Sequence, residues 1–308
     1  RDLAPEAAWT ARLEPSLVQD RTRPVRHFFT VDVEEYFQVV ALEPYAPRDR
    51  WESYPRRAAD ATLRLLELLA RHNAIGTFFT VGWLAEREPA LMKAIVAAGH
   101  EVASHTWDHV RITHQTPEAF RESVRRTKRL IEDQTGAAVV GFRAPSFSIV
   151  RGTEWALDIL LEEGYRYDSS LFPVKRAGYG YEGGARDPHW IARPAGRLAE
   201  FPPATLRLAG RTLPAAGGAY FRILPPTLVH MAVRETEERG QPATFYIHPW
   251  EWDPGQPRFD VPLLTRIRHY AGQGGVWGRM DRLLAAYDFT SIASVLSQGT
   301  DGPTPLAA

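Results

Sequence analysis

The sequence predicts an α/β fold, an irregular (β/α) barrel of about seven parallel strands with a Gly/Pro-rich insertion and a helical C-terminal extension. Three observations lead there. Short aromatic and β-branched runs alternate with apolar-periodic segments of about a dozen residues, the signature of a parallel sheet covered by helices. Potentially reactive residues (Asp32, His105, Arg143, Asp168) recur where those runs end, and loops after parallel strands converge on the face where α/β barrels place their chemistry. At 308 residues the chain is long enough for one barrel-sized core, or for two smaller domains.

The elements follow in order. Residues 1–26 read as a loosely ordered, Pro-containing arm, and 27–292 as a single barrel domain. The run 27–33 is the first core strand, with acids at Asp32, Glu34 and Glu35. Residues 51–55 form a loop. The spacing of Leu63, Leu66, Leu69 and Ala70 predicts a helix over 58–72. A buried strand over 76–81 and a helix over 84–98, closed by Gly99, come next. Residues 101–104 form a short strand running into His105-Thr-Trp-Asp-His109. Pro117 after Thr116 opens a helix to about Gln134. A strand over 139–142 ends at Arg143, a helix covers 152–163, and a strand over 165–167 ends at Asp168.

The pattern then breaks. Residues 171–226 are rich in Gly and Pro, with Tyr179, Tyr181, Trp190, Phe201 and Tyr220 scattered through them, and read as an elaborated insertion with short β segments, not a second domain. A helix over 226–239 and a strand over 243–247, ending in His248, restore the alternation. Residues 249–292 form an extension of amphipathic helices with a terminal strand over 288–292, and 293–308 a tail.

Composition excludes several functions. Lys plus Arg and Asp plus Glu both number 37, which argues against general affinity for nucleic acid or anionic membrane. The Arg-rich run Arg121 to Arg129 reads as a solvated helix face. With no cysteine, there is no disulfide, thiolate metal site or Cys nucleophile, so any metal is held by His, Asp or Glu. No apolar run reaches the roughly 18 residues that span a bilayer, so no stable membrane insertion is expected. The first residues lack the apolar core of a secretory signal, which favours the cytoplasm. They also lack an initiator Met, so a removed export signal is the alternative. The sequence does not specify an oligomeric state.

The chemistry gathers around His105 and His109. Two histidines four apart share one side of a helix, and neutral imidazole is the commonest ligand of transition metals. Alone, the spacing is a weak signal and suits two exposed turn residues better. Asp32, Glu34, Arg143, Asp168 and His248 make the better company. A carboxylate plus two histidines suits a divalent ion with open positions, and Zn²⁺ held in this way brings water towards a pKa of about 7. A second carboxylate can take the water's proton and a histidine can protonate the leaving group. An arginine can orient the base, and a carboxylate can keep the acid histidine protonated.

On these residues the chain resembles the polysaccharide deacetylases, carbohydrate esterase family four, which include chitooligosaccharide and peptidoglycan deacetylases. The likeness runs from about Phe28 to Pro249. Phe-Phe-Thr-Val-Asp32-Val-Glu34 stands where many members have Thr-Phe-Asp-Asp-Gly, and His105-Thr-Trp-Asp-His109 matches His-(Ser/Thr)-x-x-His. Arg143-Ala-Pro-Ser-Phe147 matches the Arg-x-Pro motif, Tyr167-Asp168-Ser-Ser the fourth motif, and Phe-Tyr-Ile-His248-Pro the Leu-x-Ile-His motif. The stretch from Pro249-Trp-Glu-Trp-Asp-Pro to Arg268-His-Tyr is further similar to a subgroup found with bacterial exopolysaccharide and exosortase-type systems.

The resemblance implies roles. Asp32 is the expected base, with Glu34, His105 and His109 as ligands of a divalent metal, Zn²⁺ first and Co²⁺, Ni²⁺ or Mn²⁺ as alternatives. His248 is the expected general acid, tuned by Asp168, and Arg143 orients Asp32. Two departures stand out. The adjacent Asp-Asp is absent; in an extended segment Glu34 shares Asp32's face and Glu35 does not, which favours Glu34 as ligand over Glu35. The Trp of the fourth motif is missing, with Leu171-Phe172 nearby.

Tyr36, Phe147 and Trp250 are the expected substrate contacts, their rings suited to a sugar face, although aromatics near strand ends also serve cores. His27, His72, His100, His114 and His269 read as structural or surface residues. The resemblance thus implies a metal-dependent hydrolase of acetyl groups on N-acetylated amino sugars of a poly- or oligosaccharide, in exopolysaccharide or envelope glycan metabolism. The alternatives are a non-sugar amide such as a ureide, and a degenerate glycan-binding scaffold.

Overall fold

Eight residues, Arg26–Val33, lay out the barrel. Phe29, Val31 and Val33 join the apolar layer shared with the helices, whereas Phe28 belongs to the barrel interior and Thr30 and Asp32 bond Arg143. This is the period-two alternation of a strand with both faces buried. The inner face therefore reads Phe28, Thr30, Asp32 from floor to rim, and the next carboxylate, Glu34, follows just past the strand.

The computed structural model describes residues 11–12, 24–176 and 178–298; most of the expected arm over 1–26, and 299–308 of the expected tail, lie outside the described residues. The chain runs through β1 (Ala11–Arg12), β2 (Arg26–Val33), α1 (Ala58–Arg71), β3 (Thr77–Thr80), α2 (Gly82–Arg87), α3 (Pro89–Ala97) and β4 (Glu101–Ser104). It continues with α4 (Pro117–Thr135), β5 (Gly141–Phe142), α5 (Trp155–Glu162), β6 (Tyr167–Asp168), β7 (His189–Arg193), β8 (Gly196–Glu200), β9 (Thr205–Leu208) and β10 (Arg211–Pro214). Last come α6 (Gly218–Ile223), α7 (Pro226–Glu238), β11 (Thr244–Ile247), α8 (Leu263–Tyr270), α9 (Gln273–Ala286), β12 (Asp288–Thr290) and α10 (Ile292–Gln298). None of the described helices is long and apolar enough to cross a membrane.

The main sheet has the order β1-β7-β8-β6-β5-β4-β3-β2-β11, parallel from β8 to β11, with β7 and β1 added antiparallel at one edge. β12 pairs parallel with the first residues of β2. Between β8 and β11 the wall is irregular backbone: Ala204 N–H donates to the Thr244 carbonyl at 2.9 Å, and Tyr246 N–H to that of Ala216 at 3.1 Å. This corrects the reading of 171–226 as an insertion. That stretch supplies barrel strand β8 and the closing backbone, and its Gly and Pro serve a bent wall that shows no strand periodicity.

Two helix expectations also change. In α1, Leu63 is 42% exposed and Ala70 lies outside, while Ala61, Leu65, Leu68 and Leu69 are buried. A leucine-rich run offers two overlapping stripes at helical spacing, and periodicity alone does not choose between them. The single helix expected over 84–98 is two, because Pro89 occupies the first turn of α3 and Glu88 ends α2. The Arg-rich run is a face of α4 as expected, paired with acids of its neighbours: Arg125 with Glu163 at 2.7 Å and Arg126 with Glu86 at 3.2 Å.

The lower barrel is filled by Phe28, Phe79, Ala103, Tyr167, Ala199 and Phe201, closed from below by Ile292, Val295 and Leu296 of α10. Tyr167 crosses this space to give its hydroxyl proton to Glu101 at 2.7 Å. A Cβ on Gly141 would lie 2.0 Å from that tyrosine ring, so only glycine fits there. The first N–H groups of α10 are taken by Thr77 Oγ1 (3.0 Å) and the Glu101 carboxylate (2.9 Å). The expected tail from 293 therefore begins inside a packed helix.

Two buried histidines make the fold acid-sensitive. His27 Nδ1 accepts the Ala243 N–H at 3.0 Å and His100 Nδ1 accepts the Gly76 N–H at 3.1 Å, so both must be unprotonated there. Burial lowers each pKa to about 4. With folded-state values below the unfolded value of about 6.5, their stabilisation is complete above that pH and is lost as pH falls towards 4. The contribution of these two groups to urea stability should be constant above pH 7 and fall below 6.5, by about 3 kcal/mol for His27 alone at full protonation. His27→Gln/His100→Gln should therefore lose less stability between pH 7 and 5 than the wild-type protein. Equal losses in the two proteins would contradict this.

Candidate active site

Because the strands are parallel, their last inward residues meet at one rim. Asp32 follows Thr30 on β2, His105 follows Ala103 just past β4, and His248 follows Tyr246 just past β11. The 105–109 stretch is a loop, which corrects the helical picture of its two histidines. Thr106 (φ 63°) and His109 (φ 58°) take left-handed conformations that fold the loop back. Its carbonyls are held by the start of α2, Gly82 N–H on Thr106 O at 2.9 Å and Trp83 N–H on Trp107 O at 2.7 Å. A β-branched residue at positive φ costs of order 1–3 kcal/mol, a strain typical of functional loops.

The fold brings Glu34, His105 and His109 together, all buried, with ligand-type atoms within 4.8 Å of one another. His105 Nδ1 lies 2.7 Å from the Arg143 carbonyl, so this nitrogen carries the proton and Nε2 keeps its lone pair. Burial lowers the His105 pKa to about 4, which keeps the ring neutral. Glu34 Oε1 accepts from Trp250 Nε1 at 3.0 Å. Its Oε2 lies 2.7 Å from His109 Nε2, yet it accepts no hydrogen bond in this geometry. Burial opposes ionisation of Glu34, but the surrounding histidines hold its pKa well below the usual carboxylate range. Three converging lone-pair donors in a buried corner fit a divalent cation of borderline softness. Glu35 does not compete for it. Its carboxylate accepts the Arg57 (3.0 Å) and Ala58 (3.2 Å) N–H groups where α1 begins.

Asp32 stands beside this cluster. Arg143, fully buried, gives one Nη1 hydrogen bond to Asp32 Oδ1 and another to Thr30 Oγ1, both 2.7 Å. Its remaining donors go to Ser169, Nε to the carbonyl (3.1 Å) and Nη2 to Oγ (2.7 Å), with the Phe79 ring 4.2 Å from the guanidinium carbon. The base expected at Asp32 is thus fixed on one oxygen, and the other, Oδ2, lies 3.7 Å from His248 Nε2.

The partner of His248 corrects an expectation. Asp168 does not reach it: its carboxyl takes the Ser170 hydroxyl, and it lies beside Glu200, burial raising the pKa of both. The group on His248 is Glu251, whose Oε1 lies 2.6 Å from Nδ1 and 3.2 Å from the His248 main-chain N. Glu251 is itself buried against Arg222 Nε at 2.6 Å. Burial opposes a charged His248, but Glu251, Glu34 and Asp32 raise its pKa to about 9. Asp168 is expected here because it ends a strand and because the family resemblance gives it that role. The signal for Glu251 is an acid three residues past His248, where the short turn begun by Pro249 returns it to the ring.

The aromatic residues also shift role. Tyr36 is 1% exposed and packs on Phe37 and Phe259, so it presents no face to a substrate. Trp250, 8% exposed, is stacked between His248 and His269 and bonds Glu34, which makes it a support of the site. Phe147 is 6% exposed and packs on Phe172 and Tyr246. Phe172 supplies apolar wall next to the motif that lacks its Trp.

Comparison with known proteins extends this geometry. Residues 51–167 match the sequence pattern of the polysaccharide deacetylase family, and 169–297 match a domain of unknown function, DUF3473. The first match holds His105, His109 and Arg143, the second holds His248 and Glu251, and Asp32 and Glu34 precede both. A peptidoglycan-N-acetylglucosamine deacetylase of Listeria monocytogenes is 28% identical over 42% of this chain and 29% of its own length. A peptidoglycan deacetylase of Helicobacter pylori is 34% identical over 35% of this chain and 36% of its own. The chain thus spans about a third of the length of these relatives. A solved candidate polysaccharide deacetylase from Mycobacterium smegmatis, 20% identical, shares the fold over 97% of this chain and 98% of its own, with a TM-score of 0.61.

Proposed function

Because the chain carries a polysaccharide deacetylase domain joined to a domain of unknown function, we propose that it is a metal-dependent hydrolase. Its reaction is removal of acetyl groups from N-acetylated amino sugars of a poly- or oligosaccharide, in exopolysaccharide or cell-envelope glycan metabolism. The observation that carries the reading is the juxtaposition of Glu34, His105 and His109 with Asp32 on one side and His248 on the other. The relatives, which act on peptidoglycan N-acetylglucosamine, support the substrate class.

Glu34, His105 and His109 would hold the ion, with Zn²⁺ the best match to two imidazoles and a carboxylate. Such an ion supplies a Lewis acid for the acetyl carbonyl and makes water a nucleophile at neutral pH. Asp32 Oδ2 accepts the proton of the attacking water while Arg143 holds Oδ1 still. His248 Nε2–H then protonates the departing amine nitrogen, with Glu251 stabilising the imidazolium through Nδ1. Cleavage of the carbon–nitrogen bond leaves acetate and a free amino sugar.

Acetate release from a panel of acetylated glycans tests this. Chelator-treated protein should release none and one equivalent of Zn²⁺ should restore it; release indifferent to chelation would remove the metal from the mechanism. Metal uptake without acetate from any glycan would favour the scaffold alternative, and turnover of ureides alone would favour the ureide one.

Glu251→Gln gives a second expected result. It removes the hydrogen-bonded anion that most raises the His248 pKa, so that pKa falls. Rate is lost as pH rises through the pKa of a general acid, so the alkaline limb of kcat/KM should move to lower pH. At neutral pH, kcat should drop about 10- to 100-fold. An unmoved limb would show that His248 is not the acid.

A further inference from the structure

Beside the rim lies an open groove of about 560 Å³ whose lining includes Arg111, Arg151, Lys175, Arg176, Tyr179 and Glu182. Its charge is lopsided in a chain whose total formal charge is zero. Glu182 pairs with Lys175 at 3.2 Å, and both are well exposed. The arginines are held by neutral groups. Arg151 donates to the Glu182 main-chain carbonyl at 3.1 Å and lies over the Tyr181 ring, and Arg176 donates to the Tyr220 hydroxyl at 3.4 Å. Arg111 Nε is buried with no hydrogen-bond partner. Among the described residues none of the three has a carboxylate within ion-pair distance.

The groove is tied to the site through the chain and through packed side chains. Arg111 comes two residues after His109, and the next N–H, of Ile112, donates to Ser148 Oγ at 2.9 Å, tying the ligand loop to the turn that carries Phe147. Val174 packs with Phe147, Phe172 and Tyr246 in one cluster, against which Tyr179 rests. The Tyr246 ring stands 5.9 Å from that of His248. A chain with its acetylated sugar at Asp32 and His248 would thus lay a neighbouring unit along these arginines.

We propose that this groove is an anion subsite, and that the natural substrate is an acidic glycan bearing a carboxylate or phosphate one or two units from the acetylated sugar. The proposal rests on the deacetylase reading and adds the charge of the chain that the site accepts. Guanidinium groups recognise carboxylates and phosphates through paired hydrogen bonds.

The test uses titration calorimetry alongside acetate release. The ligands are a tetrasaccharide alternating N-acetylglucosamine with glucuronate, a phosphate-substituted tetrasaccharide, and the neutral tetramer of N-acetylglucosamine. Wild-type protein should bind at least one acidic chain about tenfold or more tighter than the neutral one at low salt, with the advantage shrinking as salt screens the contact. The two acidic ligands tell carboxylate from phosphate. Arg111→Gln/Arg176→Gln should abolish the advantage and leave neutral binding unchanged, and Arg151→Glu should do the same by charge reversal. Equal binding of acidic and neutral chains, unaltered in these variants, overturns the proposal whether or not acetate is released. Charge-dependent binding without acetate release upholds the subsite and overturns the deacetylase reading instead.

Discussion

Asp32→Asn should lower kcat for acetate release by about a thousandfold, with little change in KM and with one metal equivalent still bound. Asparagine keeps an oxygen for Arg143 Nη1, which Asp32 now engages at 2.7 Å, but it cannot accept the proton of the attacking water. Metal binding should survive because Asp32 is not among the three converging donors. Some stability is lost as well, about 1–3 kcal/mol, because the buried Arg143 loses its anionic partner. Steady-state rates, metal analysis and melting temperature measured on the same preparation separate these effects. Near-wild-type turnover with metal bound would mean that the base is another group.

Arg222→Leu should be the most destabilising single change away from the metal corner. Arg222 is 1% exposed, and it pairs with Glu251 and donates to the carbonyls of Arg268 and Ala271. Without it a fully buried carboxylate loses its permanent cation, a loss of about 3–5 kcal/mol. Urea unfolding of three proteins checks the cause. Arg222→Leu should be the least stable, and Arg222→Leu/Glu251→Leu should regain much of the loss while staying poorly active, since His248 then lacks its partner. Equal stability of the single and double variants would mean that the charge is not what matters.

The strand-end rule explains what could be read from the residues alone. Asp32, His105, Arg143 and His248 do converge, because parallel strands with alternating faces carry their last inward side chains to one rim. The rule failed where contact depends on how a loop turns. Asp168 ends a strand as expected, yet its carboxyl meets Ser170 and Glu200, and Glu251, which ends none, reaches His248. The His pair would share one face if its backbone were helical; two residues at positive φ achieve the same convergence without a helix. Short β segments are expected over 171–226, but that one of them, β8, belongs to the barrel wall is hidden for a related reason. Short strands joined by Gly- and Pro-rich bends carry too few alternations to stand out, and only their partners reveal them. Tyr36 shows the limit for aromatics: a ring near a strand end serves core or ligand, and sequence does not tell which.

The pairing of β2 bears on how the protein comes into being. Thr30 donates its hydroxyl proton to Phe245, 215 positions later in the chain, and β12 joins the same strand later still. Contacts so distant in sequence form slowly, because a long loop must close before they repay its lost freedom. During synthesis, then, the strand bearing Asp32 waits with one edge bare, prone to stray pairing and in need of protection. Glu34, His105 and His109 are all made early, while His248 arrives only with the strand that seals the wall. The three metal ligands are thus all synthesised well before the acid, and chemistry has to wait for the strand that carries His248.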